Sequence, residues 1–519
     1  MELDLDRNTE VLDQAIDISS FDKINKTKKT KIDPNLKCKP LKVLYVFTNI
    51  DGMHYDNYHF GLATLVSVTK NLGHDVKLNL LSKREHYSDY SKTIKEFKPD
   101  VVGFSSVSSQ FPFVKELAQI AKDTLPNVIT IAGGVHPTLS PDSLLDGDSI
   151  DGFIRGEAEE AIVDFLINVS NGLDYKKTDN YAYVENGKVV SNELKPLVKD
   201  LDELPLPDKE IYPYYENTIK LIGSAPFFFT RGCPYTCTYC MNQSFADLYG
   251  RKRNFPRYRS PESCIQEIED VVVRHHKDIE YIFIGDDIFG PNLKWRKEFC
   301  DKYKERILQK FGTKFMVLLR VEMCQNDETL KALKDAGAFR IFFGVESGDE
   351  AQRREVLDRK MTDKTITTAF DNCHKNGLET LAVNIIGFPG ETEEMIKSTV
   401  KLNRELKMSS SGVNIFYPYH GTPLGDHCFE NDLVDIDKFN NFSMERREST
   451  LKFSKEHEDM IMRYFNNWDN LVYPIYTFPG VKLRVRLFRD AILKQLGIFD
   501  FARDMYRNNK KWFRPGNAS

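Results

Sequence analysis

The sequence predicts an α/β protein in three parts: an N-terminal doubly wound, Rossmann-like sheet, a central partial (β/α)6 barrel and a mainly helical C-terminal domain. Three observations carry this. Short β-branched and aromatic runs alternate with helix-like stretches at βαβ spacing, and they do so twice. A proline-rich connector, DELPLPD, separates the two series. Beyond about residue 430 the strand-like runs stop. The predicted divisions are a flexible arm over 1–39, the Rossmann-like domain over 40–172, a linker over 173–222, the barrel over 223–430 and the helical domain over 431–519.

The chain has 519 residues, enough for several cores, with 41% hydrophobic and 29% charged residues. That is ordinary globular usage. With 72 basic against 77 acidic residues the net charge is −5, which excludes the basic footprint of a nucleic-acid binder. No apolar run approaches membrane-spanning length, and the polar, acidic start MELDLDRNTEVLDQ is unlike a signal peptide. Nine cysteines spread over this length argue against a disulfide framework. The expectation is a cytoplasmic enzyme.

Residues 1–39 are polar, with a basic run from Lys23 to Lys31. LKVLYVF (Leu41 to Phe47) then reads as a buried parallel strand, and GLATLVSVTKNLG as a helix ending on glycine. DVKLNLL, DVVGFSSV and VITIAGG continue the strands, with helix-like FVKELAQIAKDTL and AEEAIVDFLINVS between and after them. NYAYVENGKVVS is a hairpin turning at Asn186-Gly187, assigned to the connector. The second series has strands FFFT, YIFIG, KFMVLLRV, RIFFGVE, TLAVNIIGF and GVNIFYP, and a barrel of this kind works at the C-terminal ends of its strands. Residues 481–519 hold ten Lys or Arg against three Asp. Lys482, Arg484, Arg486 and Arg489 there suit an anionic substrate or a membrane surface, against the plainer reading of a solvated helix face.

The chemistry is concentrated in FFFTRGCPYTCTYCMNQ, where Cys233, Cys237 and Cys240 are spaced by three and then two residues. At this cysteine frequency a given triple spacing arises by chance about 0.003 times per chain. Three thiolates on one loop hold a metal or an iron–sulfur cluster; a structural zinc site wants a fourth ligand, and none stands nearby in sequence. The other cysteines, Cys38, Cys264, Cys300, Cys324, Cys373 and Cys428, are scattered, and only Cys324 and Cys428 follow strands closely enough to face the cavity. Tyr417, Tyr419 and His420 end the sixth strand and are the substrate-side catalytic candidates, against the reading of a barrel-closing turn.

The Cys-x3-Cys-x2-Cys spacing, with Tyr239 before the last cysteine, resembles the signature of the radical S-adenosylmethionine (SAM) superfamily. The resemblance implies a [4Fe–4S] cluster on Cys233, Cys237 and Cys240 whose open iron binds SAM, an external electron donor, and a 5′-deoxyadenosyl radical that attacks a small-molecule substrate. Further segments match in order: Gly285-Asp286-Asp287, Arg320 and Glu322, Gly344-Val345-Glu346-Ser347-Gly348, and IIGFPGET from Ile385. The resemblance puts Tyr239, Gly285, Asp286, Asp287, Arg320, Glu322, Glu346, Ser347 and Ile385 around SAM. Asp286 departs from the family pattern, which has glycine there.

Residues 40–172 resemble the cobalamin-binding domain that precedes some of these barrels. The matching segments are Gly61 at a helix entry, Ser105, Ser106 and Ser108 after one strand, and Gly133, Gly134, Val135 and His136 after the next. The paired glycines would admit a bulky ligand tail. The cobalt-ligating Asp-x-His-x-x-Gly pattern is absent; the corresponding loop carries His54 and His59 in other spacings. The implied function is a cobalamin-dependent radical SAM methyltransferase of an unactivated carbon, working through methylcobalamin and the deoxyadenosyl radical. The alternative is a non-methylating enzyme of the same architecture, such as an oxidative cyclase or one catalysing ring contraction or dehydration.

Overall fold

The computed structural model describes residues 38–50, 52, 58–250, 255–290, 292–441 and 445–474. Residues 1–37 of the N-terminal arm, His54 and the basic residues Lys482, Arg484, Arg486 and Arg489 lie outside them.

The first sheet has the order β2-β1-β3-β4-β5-β6-β7. Its parallel strands are β1 (Lys42–Thr48), β2 (Asp75–Leu81), β3 (Val101–Ser105), β4 (Ile129–Gly133) and β5 (Gly152–Ile154). Strand β1 is central and buried on both faces, which explains its unbroken apolar run. Its alternate side chains feed two cores. Leu44 and Val46 pack with Tyr90, Ile94, Val114 and Leu117 from helices α2 (Tyr87–Phe97) and α3 (Phe111–Thr124). Val43 and Tyr45 pack with Leu62, Val66, Ile162 and Phe165 from α1 (Phe60–Asn71) and α4 (Glu159–Ser170). One pair of helices on each face is the doubly wound arrangement.

The hairpin assigned to the connector instead extends this sheet. Strands β6 (Tyr181–Glu185) and β7 (Lys188–Ser191) form it, and β6 pairs antiparallel with β5 through Phe153↔Ala182. Its turn places both Asn186 and Gly187 at positive φ, 52° and 73°, as a two-residue hairpin turn requires. The proline-rich connector then runs along α1: Ser67 Oγ donates to Leu206 O (2.7 Å), and Lys70 pairs with Asp208 (2.7 Å).

The second sheet has the order β15-β14-β13-β12-β11-β8, every pairing parallel. Its strands are β8 (Ser224–Phe227), β11 (Tyr281–Ile284), β12 (Lys314–Leu319), β13 (Ala338–Glu346), β14 (Glu379–Ile386) and β15 (Ser410–Ile415). Among the described residues β15 does not pair with β8, so the curled sheet is a partial barrel with one open side. Its first strand ends at Phe227, three residues before the expected FFFT run finishes. The cause is Asp286: its Oδ1 accepts the backbone N–H of both Phe229 and Thr230, drawing the chain off the sheet edge. The chain continues as β9 (Thr230–Arg231), which pairs antiparallel with β10 (Arg257–Tyr258). The C-terminal helix Lys455–Asn466 packs Ile461 with Ile386, Ile396, Ile415 and Trp468 in one core, so it caps the last strands.

Candidate active site between the two sheets

The three cysteines stand on the loop between β9 and α5 (Met241–Leu248), with Cys240 as the residue preceding the helix. The loop is tied down by two threonine side chains and one backbone carbonyl. Thr238 Oγ1 donates to Val356 O (2.6 Å), Leu424 N donates to Thr238 O (3.0 Å), and Thr236 bonds Asp358. Gly232 has φ of +82°, and a Cβ there would lie 2.3 Å from the Phe255 ring. Burial pushes the Cys233 thiol up to about 11 and Cys240 up to about 12. Among the described residues no three His, Cys, Asp or Glu side chains stand in the arrangement a single metal ion needs. Cys233, Cys237 and Cys240 offer three thiols on one loop, the donor type that iron–sulfur clusters take.

A cationic pair meets Cys237. Arg320 Nη1 is 3.6 Å and Arg359 Nη1 3.4 Å from its sulfur. Arg320 also forms a two-point ion pair with Glu322 (2.7 and 3.2 Å) and lies 4.0 Å above the Tyr235 ring. Burial works to raise Glu322, but the bonds from Arg320 outweigh it and its carboxyl stands lowered. Arg359 donates to Tyr239 Oη (3.2 Å) and to Gly344 O, and lies 3.9 Å from Glu346. Glu346 sits at the register shift of β13 with φ of +69°, and burial raises its carboxyl. Tyr239, Arg320, Glu322 and Glu346 are thus gathered around the cysteine loop.

The other residues expected around SAM make contacts of their own within the protein. Asp286 is fully buried and holds the backbone before the cysteine loop; burial pushes its carboxyl up to about 7. Ser347 is fully buried and spends its hydroxyl on Gln352 (2.6 Å). Ile385 packs at the margin of an apolar cluster that includes Phe388 and Tyr239. Gly285 donates its N–H to Phe227 O (2.8 Å), while Asp287 next to it faces open space.

That space is a cavity of 610 Å³ between the two sheets. Gly61, Ser105, Gly133 and Gly134 line it from the N-terminal side, and Thr230, Arg231 and Asp287 from the barrel side. Thr48 Oγ1, Tyr58 Oη, Glu159 Oε2 and Arg257 Nε belong to its wall, are buried, and make no hydrogen bond among the described residues. Orphaned buried donors and acceptors of this kind suit a large ligand rich in amide and hydroxyl groups, such as cobalamin.

Ser106, Ser108, Val135 and His136 do not line this cavity. His136 bonds Ser108 (3.2 Å) through Nδ1, packs in a tilted arrangement on Phe111 at 4.4 Å, and is pushed down to about 3 by burial, with His420 and Lys115 adding to it. The glycine pair also has an internal reason. A Cβ on Gly134 would meet Ser106 O at 2.7 Å, so glycine permits two loops to touch, whatever it does for a ligand. His59 caps α1: its Nδ1 accepts from Leu62 N (3.0 Å), which puts the ring proton on Nε2, 3.4 Å from Ser105 Oγ. A neutral imidazole so used has no second lone pair for cobalt.

Residues that sequence reasoning passed over complete the wall. Arg231 pairs with Glu157 (3.2 Å) and Glu159, and Arg257 with Glu157 (3.0 Å), joining the two sheets through a buried ion network. Burial opposes the charge on Glu157, but the two arginines hold it lowered. Arg359 likewise went unnoticed, because it lies in the charge-rich run QRREVLDRK that reads as a solvated face. Of the substrate-side candidates, Tyr419 donates to Glu445, which accepts Ser109 N (3.1 Å), and Arg446 Nε donates to Tyr419 Oη (3.0 Å). Tyr417 Oη is buried with no hydrogen bond among the described residues, and His420 stacks on Phe429 at 3.6 Å. Cys324 and Cys428 are buried in cores away from the cavity.

A parallel sheet with a walled ligand slot, facing an open barrel that presents three cysteines on the loop after its first strand, defines a cofactor-loading redox enzyme. Residues 227–402 match the family model described as the radical SAM superfamily, and residues 49–166 that of the B12 binding domain. An uncharacterized methyltransferase, PH0819, from Pyrococcus horikoshii is 30% identical over 380 residues, covering 72% of this chain and 79% of its own. The anaerobic magnesium-protoporphyrin IX monomethyl ester cyclase of Rubrivivax gelatinosus is 27% identical over 427 residues, covering 80% of this chain and 73% of its own. The radical SAM methyltransferase TsrM from Kitasatospora setae, solved with cobalamin and a [4Fe–4S] cluster, shares the fold. Its TM-score is 0.60 at 16% identity, over 76% of this chain and 75% of that one. The chain belongs to the radical SAM superfamily and carries a B12 binding domain ahead of its barrel. Its cofactors are a [4Fe–4S] cluster, SAM and cobalamin.

Proposed function

We propose that this chain is a cobalamin-dependent radical SAM methyltransferase acting on an unactivated carbon of a small molecule. The observation that carries this is the shared cavity. The backbone leading into the cysteine loop, Thr230 and Arg231, forms one wall, and the strand ends of the N-terminal sheet form the other. Cys233, Cys237 and Cys240 would ligate three irons of the cluster. Tyr239, Gly285, Asp287, Arg320, Glu322 and Glu346 would surround SAM, and Gly61, Ser105, Gly133 and Gly134 would receive cobalamin. When bound, the cofactors supply one-electron cleavage of SAM and carriage of a methyl group.

The chain's own residues prepare that chemistry. Arg320 and Arg359 offset negative charge at Cys237. The aromatic and aliphatic wall, including Phe60, Phe228 and Phe245, keeps water from a reactive intermediate. The Ser109–Glu445–Tyr419 chain of hydrogen bonds ties the N-terminal domain to the end of β15.

The methyltransferase description of the 30% identical relative supports methylation. The similarity to the cyclase supports a second, non-methylating reading on the same architecture. The reaction needs an external low-potential electron donor. Arg446, beside Tyr419 at the barrel end, supports recognition of an anionic group on the substrate. Among the described residues no helix is long and apolar enough to cross a membrane. An oxygen-sensitive cluster supports a cytoplasmic, anaerobic setting.

The test is anaerobic reconstitution with iron, sulfide and cobalamin, followed by SAM and a strong reductant, with products counted by mass spectrometry. The methyltransferase reading expects both 5′-deoxyadenosine and S-adenosylhomocysteine. The first should be lost in Cys237→Ala and the second without cobalamin. Deoxyadenosine alone would select the non-methylating reading.

A further inference from the structure

The two guanidinium groups at Cys237 are not equivalent. Arg320 lies 3.6 Å from the sulfur, but its charge is met by the two-point pair with Glu322 (2.7 and 3.2 Å). Arg359 is closer, at 3.4 Å, and its side chain is only 5% exposed. Its acidic neighbour, Glu346, is more distant at 3.9 Å, and burial favours the protonated form of that carboxyl. The remaining partners of Arg359, Gly344 O, Tyr239 Oη and Met361 Sδ, are neutral acceptors that fix the guanidinium plane. The least compensated and best-anchored positive charge in contact with the loop is therefore aimed at one sulfur.

We propose that Arg359 sets the reduction potential of the cluster through a charge-assisted N–H···S hydrogen bond to Cys237. This rests on the reading that Cys237 is a cluster ligand. One electron passes from a low-potential one-electron donor to the cluster, whose core goes from the 2+ to the 1+ state. No proton moves, and Arg359 stays a cation throughout. The reduced cluster carries one more negative charge, so a fixed cation and hydrogen-bond donor at a ligand sulfur stabilises it more than the oxidised form. Arg359 thus makes the cluster easier to reduce. It is a positioning residue whose effect is read in the potential.

The experiment uses the full chain, reconstituted anaerobically without SAM and titrated with a low-potential reductant while the reduced cluster is followed by electron paramagnetic resonance. Wild type, Arg359→Gln, Arg359→Lys and Arg354→Gln are compared. Arg354 lies five residues earlier, in the helical turn Gln352–Val356, and its side chain is 59% exposed, so it controls for surface charge. Iron and sulfide content is measured first. The expected result is full cluster content in every variant. At the wild-type midpoint, Arg359→Gln should show a reduced-to-oxidised ratio about tenfold lower, equivalent to about 59 mV for one electron. The lysine variant should fall between, and Arg354→Gln should match wild type. A wild-type midpoint in Arg359→Gln, or an equal shift in Arg354→Gln, overturns the proposal. If the glutamine variant holds no cluster, the lysine variant decides: a lowered midpoint supports the proposal and an unchanged one overturns it. A wild-type protein without iron and sulfide instead overturns the ligand reading beneath it.

Discussion

Asp286 offers the sharpest test of how the barrel holds its cysteine loop. Its carboxyl is fully buried, and one oxygen accepts two backbone N–H groups. Burial outweighs those two bonds and pushes it up to about 7. In the unfolded chain an aspartate titrates near 3.9. Between these values the folded protein holds a proton that the unfolded chain has released, so stability falls as pH rises through this window and levels off above about 7. At about 1.36 kcal/mol per unit the whole window is worth about 4 kcal/mol, with about 2 kcal/mol of it between pH 5.5 and the plateau. Asp286→Asn keeps the accepting oxygen and removes the ionisation. The assay is the unfolding midpoint of wild type and Asp286→Asn measured side by side from pH 5 to 8.5. Other titrating groups cancel in the difference. The asparagine variant should gain on wild type as pH rises, by about 2 kcal/mol between pH 5.5 and 7.5. A difference that stays flat with pH, or one that moves the other way, would refute the assignment of Asp286 as a largely neutral buried clamp.

The remaining expectations concern the wall between the sheets. Arg257→Met leaves Glu157 with one arginine in a buried site, which should cost about 3–5 kcal/mol in urea unfolding. The double replacement with Glu157→Gln should recover much of that loss. Gly156→Ala puts a Cβ 2.0 Å from Tyr249 Oη at a φ of +71°, so it should sharply reduce the yield of folded protein. Tyr249→Phe added to it should restore part of that yield, measured by gel filtration. His59→Ala removes the cap of α1, worth about 1 kcal/mol. It should leave the visible spectrum of bound cobalamin unchanged, because the imidazole lone pair already serves Leu62; a spectral shift would show that His59 reaches the cobalt.

Much of this was legible in the sequence. The alternation of Leu44 and Val46 against Val43 and Tyr45 requires two cores, and the run of buried residues in β1 announces a central parallel strand. The cysteine spacing announced its loop. What escaped detection were positions whose meaning depends on distant partners. Nothing near Arg359 in sequence indicates that it reaches Cys237, 122 residues away. The departure at Asp286 was noticed, but its role as a backbone clamp required knowing that β8 and β11 are neighbours. The hairpin was recognised as a hairpin, while its attachment to β5 was a tertiary choice that turn chemistry does not encode.

The wall that Arg231 shares between the two halves has a consequence for assembly. It stands two residues before Cys233, and its guanidinium is held by Glu157 and Glu159 from the N-terminal domain. Anything that shifts those acids on filling the cavity is transmitted to the cysteine loop, and thermodynamic reciprocity requires the same free energy in return. Loading one cofactor should then change the affinity for the other by an equal factor whichever enters first. Only the rates would depend on the order of addition.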